Sequence, residues 1–192
     1  SNGIDAVHMF RECIRLARDE QRVVVFLEPI ARYMTRDRLT DGGYRWAGIY
    51  PEIDPKFTMR SGTIGVRGDG TDLAIVTYGN GVFLAEQAVE SLRADHGVNA
   101  RVVDLRWLAP LPIDAVVAAT APCRSVLVVD ECRETGSQSE AIVSLFAERG
   151  RYDVHRECAA DSFIATGPAF GATLPSCESI VAGARRAVSD LS

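Results

Sequence analysis

The sequence predicts a three-layer α/β/α fold, with a mixed sheet of about five strands, mostly parallel and carrying one antiparallel edge strand. Three observations carry this. The run Leu73–Thr77 is apolar on both faces, which suits a strand covered by helices above and below. It passes through Gly79-Asn80-Gly81 directly into a helix whose Val82, Ala85, Ala88, Val89 and Leu92 recur at helical spacing. Downstream, short apolar runs and amphipathic stretches alternate to the end of the chain. Parallel strands joined by right-handed helical crossovers place helices on both sheet faces.

Residues 4–20 form the first expected helix, with Ala6, Val7, Phe10, Cys13, Ile14 and Ala17 on one stripe and arginines opposite. The apolar run 22–28 has strand length, and Pro29 closes it. From Ile30 to Ser61 no period persists and prolines and glycines punctuate the chain, which marks a linker or boundary. The organisation expected is therefore 1–28, a helix and strand; 29–61, a linker; and 62–192, an α/β domain.

Within that domain, 63–67 reads as a short strand that the Gly68-Asp69-Gly70 turn folds back as a hairpin onto 73–78. Strands are expected at 100–105, 125–130 and 152–158, and helices at 113–119, 137–148 and 175–188. The helix from Ser137 opens on Ser137-Gln-Ser-Glu140, a capping-box pattern. The last one has Pro175 in its first turn and a buried stripe of Ile180, Val181, Ala184, Ala187 and Val188.

The chain has 192 residues, enough to bury a full core without metals or disulfides. A net charge of −5 with scattered arginines speaks against nucleic acid as a partner. No run reaches membrane-span length and no signal segment opens the sequence, so a cytoplasmic location is expected. Ser1-Asn2 reads as a remnant of tag cleavage. Five cysteines without a Cys-x-x-Cys pair point to free thiols, and Cys132, at a strand end, is the one most open to chemistry.

Catalytic patterns are sparse. The glycine turn after 73–77 has Leu84 where a dinucleotide fingerprint requires a third glycine. His8, His96 and His155 show no ligand spacing, and neither a phosphate loop nor a nucleophile elbow occurs. No catalytic, cofactor-binding or metal-binding residue is assigned. The loops after the strands, 79–81, 106–111 and 131–136, are where an open α/β sheet takes a ligand. Arg106, Trp107, Glu131 and Arg133 place charge and an aromatic ring there, and they are the candidate interface residues. A self-sufficient small enzyme using Arg106, Trp107 and Glu131, or a nucleotide module using Gly79 and Gly81, stand as rivals.

In order and spacing, Phe26-Leu-Glu-Pro29, Asp72-Leu-Ala-Ile-Val-Thr-Tyr-Gly79, Val103-Asp-Leu-Arg-Trp-Leu-Ala-Pro-Leu-Pro-Ile-Asp114 and Val126-Leu-Val-Val-Asp-Glu131 resemble one family. It is the C-terminal domain of the transketolase-like thiamine diphosphate enzymes, above all the beta subunit of 2-oxo acid dehydrogenase decarboxylating components. Pyruvate and branched-chain 2-oxo acid dehydrogenases look nearest; transketolase and deoxyxylulose phosphate synthase are more distant alternatives. The resemblance implies that 4–28 is the last helix and strand of a pyrimidine-binding domain. It also implies a parent enzyme that binds thiamine diphosphate and Mg²⁺, decarboxylates a 2-oxo acid and acylates lipoamide. The catalytic groups of such enzymes lie upstream, so no cofactor is expected on this chain alone. The partners implied are a second copy in a dimer, the rest of the parent enzyme and the lipoyl acyltransferase core. Two departures are visible: an arginine-rich 30–43 stretch, and Glu131-Cys-Arg-Glu-Thr135 where a more glycine-rich loop is usual.

Overall fold

The computed structural model describes residues 2–33, 50–52 and 59–189. Five strands form one sheet in the order β1-β3-β2-β4-β5, where β1 is Gly65–Arg67, β2 Leu73–Thr77, β3 Ala100–Asp104, β4 Ser125–Arg133 and β5 Val154–Ala159. Only β1 runs antiparallel, against β3; the other pairings are parallel. The helices are α1 (Gly3–Asp19), α2 (Asn80–His96), α3 (Ile113–Thr120), α4 (Gln138–Ala147) and α5 (Cys177–Ser189).

Alternate side chains of the central strands feed two cores. Leu73, Ile75, Val102, Leu127 and Val129 meet Val82, Ala85, Ala88 and Leu92 of α2 and Ile180, Ala184 and Ala187 of α5. Ala74, Val76, Val103, Val126 and Val128 meet Val116 of α3 and Ile142 and Phe146 of α4 on the other face. All five residues of β2 are buried, as its two-sided apolar run predicts. Each fully buried Leu, Ile or Phe contributes about 1.5–3 kcal/mol of transfer free energy.

The edge strand is antiparallel as expected, but the hairpin is not formed. Residues after β1 pass across the start of β3 and enter β2 on its far side, so β3 lies between the two. Gly70 makes this crossing possible, because a Cβ there would lie 2.4 Å from the backbone carbon and oxygen of Asn99. The Arg101 guanidinium clamps the crossing by donating to the carbonyls of Gly70 (2.7 Å) and Asp69 (3.0 Å). A glycine-rich turn in the sequence thus served a crossover, and a clamp from a residue three elements away decided it.

Two helix starts differ from the pattern reading. Ser137 makes no capping bond to the α4 backbone. The Asp130 carboxylate accepts from Ser139 N (2.9 Å) instead, and Glu140 accepts from Gly136 N (2.7 Å). At α5, Ser176 and Ser179 bond reciprocally, each hydroxyl accepting from the other's backbone N–H at 3.1 and 3.0 Å. The predicted α5 stripe is the one that docks.

The N-terminal region departs most. α1 buries Asp5, Glu12, Cys13 and Leu16, while Ala6, Phe10, Ile14 and Ala17 of the apolar stripe face solvent. Residues 22–28 form no strand. The causes differ: the face of α1 turned to the sheet is the one whose Asp5 meets Arg106, and among the described residues no strand lies alongside the extended segment to pair with it. The 29–61 stretch holds a 3-10 turn at Ile30–Arg32. Residues 34–43 of the arginine-rich stretch lie outside the described residues.

Candidate functional site

The chain order places a topological switch between β2 and β4, since β3 follows β2 to one side and β4 lies on the other. Crevices beyond the carboxyl ends of such strands are where open α/β sheets take ligands. Here Gly79, at φ 55°, ψ −126°, turns the chain out of β2 into α2, a region closed to side-chain-bearing residues. Gly81 is required for space, as a Cβ would meet Thr77 Oγ1 at 2.1 Å.

Across the crevice, Asp130 is buried and fully engaged. One oxygen accepts from the Tyr78 hydroxyl (2.7 Å) and from Cys132 N (2.9 Å); the other caps α4 through Ser139 N. Burial, followed by the adjacent Asp130 carboxylate, pushes the Tyr78 phenol well above the ordinary tyrosine range. It therefore stays a neutral donor and ties β2 to β4. Next to it, Asn80 Nδ2 donates to the Glu131 carboxylate at 2.7 Å. A cleft of about 310 Å³ opens beside this pair, lined by Leu84, Phe170, Leu174 and Cys177 among others. Burial, with Glu178 and Glu90 nearby, raises the Cys177 thiol, so it is a poor nucleophile near neutral pH.

The four interface candidates fall into two separate pairs. Arg106 and Trp107 follow β3 and face α1. Arg106 has φ 54°; its guanidinium pairs with Asp5 at 2.8 Å and donates to the Ile64 carbonyl at 2.7 Å. Trp107 is buried against Cys13 and Leu16, with Met9, Val24 and Phe26 packed around, and among the described residues its Nε1 has no hydrogen-bond partner. Glu131 is half-buried beside Asn80, and Arg133 is exposed at the end of β4, past a register shift in its pairing with β5. Arg106 turns toward β1 and α1, away from β4, so the Arg106-Trp107-Glu131 constellation is not assembled.

Sequence reasoning missed Asp5, Glu12, Tyr78 and Asp130 as the groups that organise these regions. The spacing of Asp5 and Glu12, seven residues apart, puts both acids on one helix face and was a readable signal. The Glu12 carboxylate is held below the usual range chiefly by hydrogen bonds from Arg15, and also by the Ser61 backbone N–H. Among the described residues, no group of three His, Cys, Asp or Glu side chains could hold a metal ion, and no helix is long and apolar enough to cross a membrane. Cys132 is exposed, with its sulfur 3.7 Å from the Tyr78 hydroxyl.

Residues 62–180 match the model of the transketolase C-terminal domain. The chain belongs to that family. It is 30% identical over 137 residues to the beta subunit of the Bacillus subtilis pyruvate dehydrogenase E1 component, covering 69% of this chain and 42% of the relative. It is 34% identical over 98 residues to the beta subunit of 2-oxoisovalerate dehydrogenase from the same organism, covering 51% of this chain and 30% of the relative. A split-gene transketolase, solved as an inactive beta4 tetramer, has the same fold at TM-score 0.62 and 23% identity, covering 74% of this chain and 46% of the other. This transketolase C-terminal-type domain thus spans less than half the length of the curated relatives it matches. The family reading drawn from four dispersed segments is confirmed, and so is the mixed α/β sheet with one antiparallel strand.

Proposed function

We propose that this transketolase C-terminal-type domain is the assembly portion of a thiamine diphosphate-dependent 2-oxo acid dehydrogenase decarboxylating component. The parent decarboxylates a 2-oxo acid and passes the acyl group to lipoamide. The observation that carries this is the contrast between the two ends of the chain. The sheet and its four covering helices are complete, whereas α1 and 22–30 expose Ile4, Phe10, Ile14, Val23, Val25, Leu27 and Ile30. An apolar surface of that extent marks an interface.

On this reading 1–28 is the closing helix and segment of an upstream pyrimidine-binding domain, 29–61 is the linker and 62–192 the C-terminal domain. Arg106 and Trp107 serve the interface between them, inside one chain. Glu131 and Arg133, at the rim beyond β4, serve the contact with other subunits or the lipoyl acyltransferase core. Thiamine diphosphate and Mg²⁺ bind in the parent, outside this chain, and the enzyme works in the cytoplasm as a dimer or larger assembly of such chains.

The test joins this chain to the segment encoded upstream and assays decarboxylation of a series of 2-oxo acids with thiamine diphosphate and Mg²⁺. The longer polypeptide, with its partner subunit, is expected to turn over a 2-oxo acid while the 192-residue chain does not. Turnover by the 192-residue chain alone would put a self-sufficient enzyme in its place.

A further inference from the structure

The cleft of about 310 Å³ beside Asn80 and Glu131 has walls that the fold itself fixes. One wall is α2, whose Asn80, Leu84 and Gln87 stand on one helix face. Another is the turn into α5, with Phe170 and Leu174 ahead of Cys177 and Glu178. α2 and α5 share one core beneath the cleft. The Asn80–Glu131 bond at 2.7 Å ties α2 to the exit of β4, and the reciprocal Ser176–Ser179 bonds hold the start of α5. The volume is at the lower end of the range for small-molecule sites, and the place, beyond the carboxyl ends of β2 and β4, is where open α/β sheets take them.

The lining is one-sided in charge. Glu131 and Glu178 bring two carboxylates, and none of the lining residues is Lys, Arg or His. Asn80 engages one oxygen of Glu131; among the described residues, nothing donates to the other. The Glu178 carboxyl is held below its usual range by its own backbone N–H and by the Ser176 hydroxyl, so it is charged at neutral pH. Leu84, Leu174 and the half-exposed ring of Phe170 make the rest of the wall apolar. An anionic ligand would meet two like charges, which speaks against a nucleotide entering at Gly79 and Gly81. A neutral apolar molecule would desolvate both acids without compensation. For a bare metal ion, no trio of His, Cys, Asp or Glu side chains is in place among the described residues.

We propose that this cleft binds a small organic cation, an amine or guanidine carried on a short apolar body. The charged end sits at Glu131 and Glu178, where charge-assisted hydrogen bonds orient it, and the body lies along Leu84, Phe170 and Leu174. The site is independent of the assembly reading. The ligand occupies the Asn80 side of Glu131 and leaves Arg133, exposed at the end of β4, to other subunits.

The test is an NMR titration of the 192-residue chain with isopentylamine and agmatine, beside isopentanol and isocaproate, which are neutral and anionic. The resonances of Asn80, Leu84 and Cys177 should move and saturate with both cations at a Kd of about 1 mM or below. The alcohol should bind about tenfold more weakly than the amine, and the carboxylate should not saturate. Glu131→Gln keeps an acceptor for Asn80, so the fold should stand while amine affinity falls about tenfold. No saturation by either cation, an alcohol that binds as well as the amine, or indifference to Glu131→Gln would overturn the site. A basic side chain of the parent carries the same chemistry, so the longer polypeptide with its partner subunit is titrated with isopentylamine by calorimetry. Binding retained there supports a small-molecule site. Binding lost there would give the cleft to the parent's own side chain, overturning the inference and leaving the assembly reading intact.

Discussion

Arg106 and Asp5 stand 101 positions apart in sequence and meet at 2.8 Å, both largely shielded from solvent. The guanidinium also holds the Ile64 carbonyl just ahead of β1. One side chain thereby fastens the N-terminal helix to the edge of the sheet. Its backbone, at φ 54°, is in a region that few non-glycine residues occupy, and the ion pair offsets that strain.

Replacing Arg106 by alanine leaves Asp5 buried without a cation, and should weaken the docking of α1 by about 2–4 kcal/mol. Limited proteolysis should then cut within 3–33 while the 62–189 domain persists. Asp5→Asn should do less, because an amide can still accept from the guanidinium. Equal protease resistance in Arg106→Ala and the parent chain would remove the latch from the account.

Trp107 fills a hydrophobic niche without using its N–H. Trp107→Phe is therefore expected to cost under about 1.5 kcal/mol, and Trp107→Ala about 3–5 kcal/mol. Urea melts of the two variants decide it; a costly phenylalanine would show that Nε1 has a partner in solution.

A Cβ at Gly81 would lie 2.1 Å from Thr77 Oγ1 across the β2–α2 turn. Gly81→Ala should destabilise the domain by about 1–3 kcal/mol through the clash with Thr77 Oγ1. Adding Thr77→Ala, which deletes that oxygen, should recover part of the loss, and Thr77→Ser should not. Additive costs in the double variant would contradict the contact.

The Glu12 carboxylate, lowered chiefly by Arg15, is ionised when α1 is docked. A depressed folded-state pKa means the stabilisation is complete above the unfolded value of 4.5 and is lost as pH falls through the folded one. Docking followed by Trp107 fluorescence, in a Trp46→Phe background, should hold at neutral pH and fail on acidification below that value. Glu12→Gln should weaken docking at neutral pH and flatten the acid dependence.

The domain core was readable because its signals are local. The two-sided apolar run of β2, the α2 spacing and the α5 stripe each dictate their own burial. What escaped was what neighbours decide. Gly68 and Gly70 look the same in a hairpin and in a crossover, and only the Arg101 clamp and the close pass over Asn99 separate the two. The α1 stripe is apolar, yet on the opposite face Asp5 meets Arg106 and Glu12 meets the Ser61 backbone N–H, and the stripe is turned outward. The candidate residues were picked as charge and aromaticity at loop rims, which cannot tell Arg106 and Trp107, spent within the chain, from Glu131 and Arg133 at the open end of β4.

The most direct test of the account is calorimetric titration of the 192-residue chain with thiamine diphosphate in the presence of Mg²⁺. An assembly domain whose cofactor site lies upstream should give only heats of dilution. A saturable site in the micromolar range on this chain alone would contradict it.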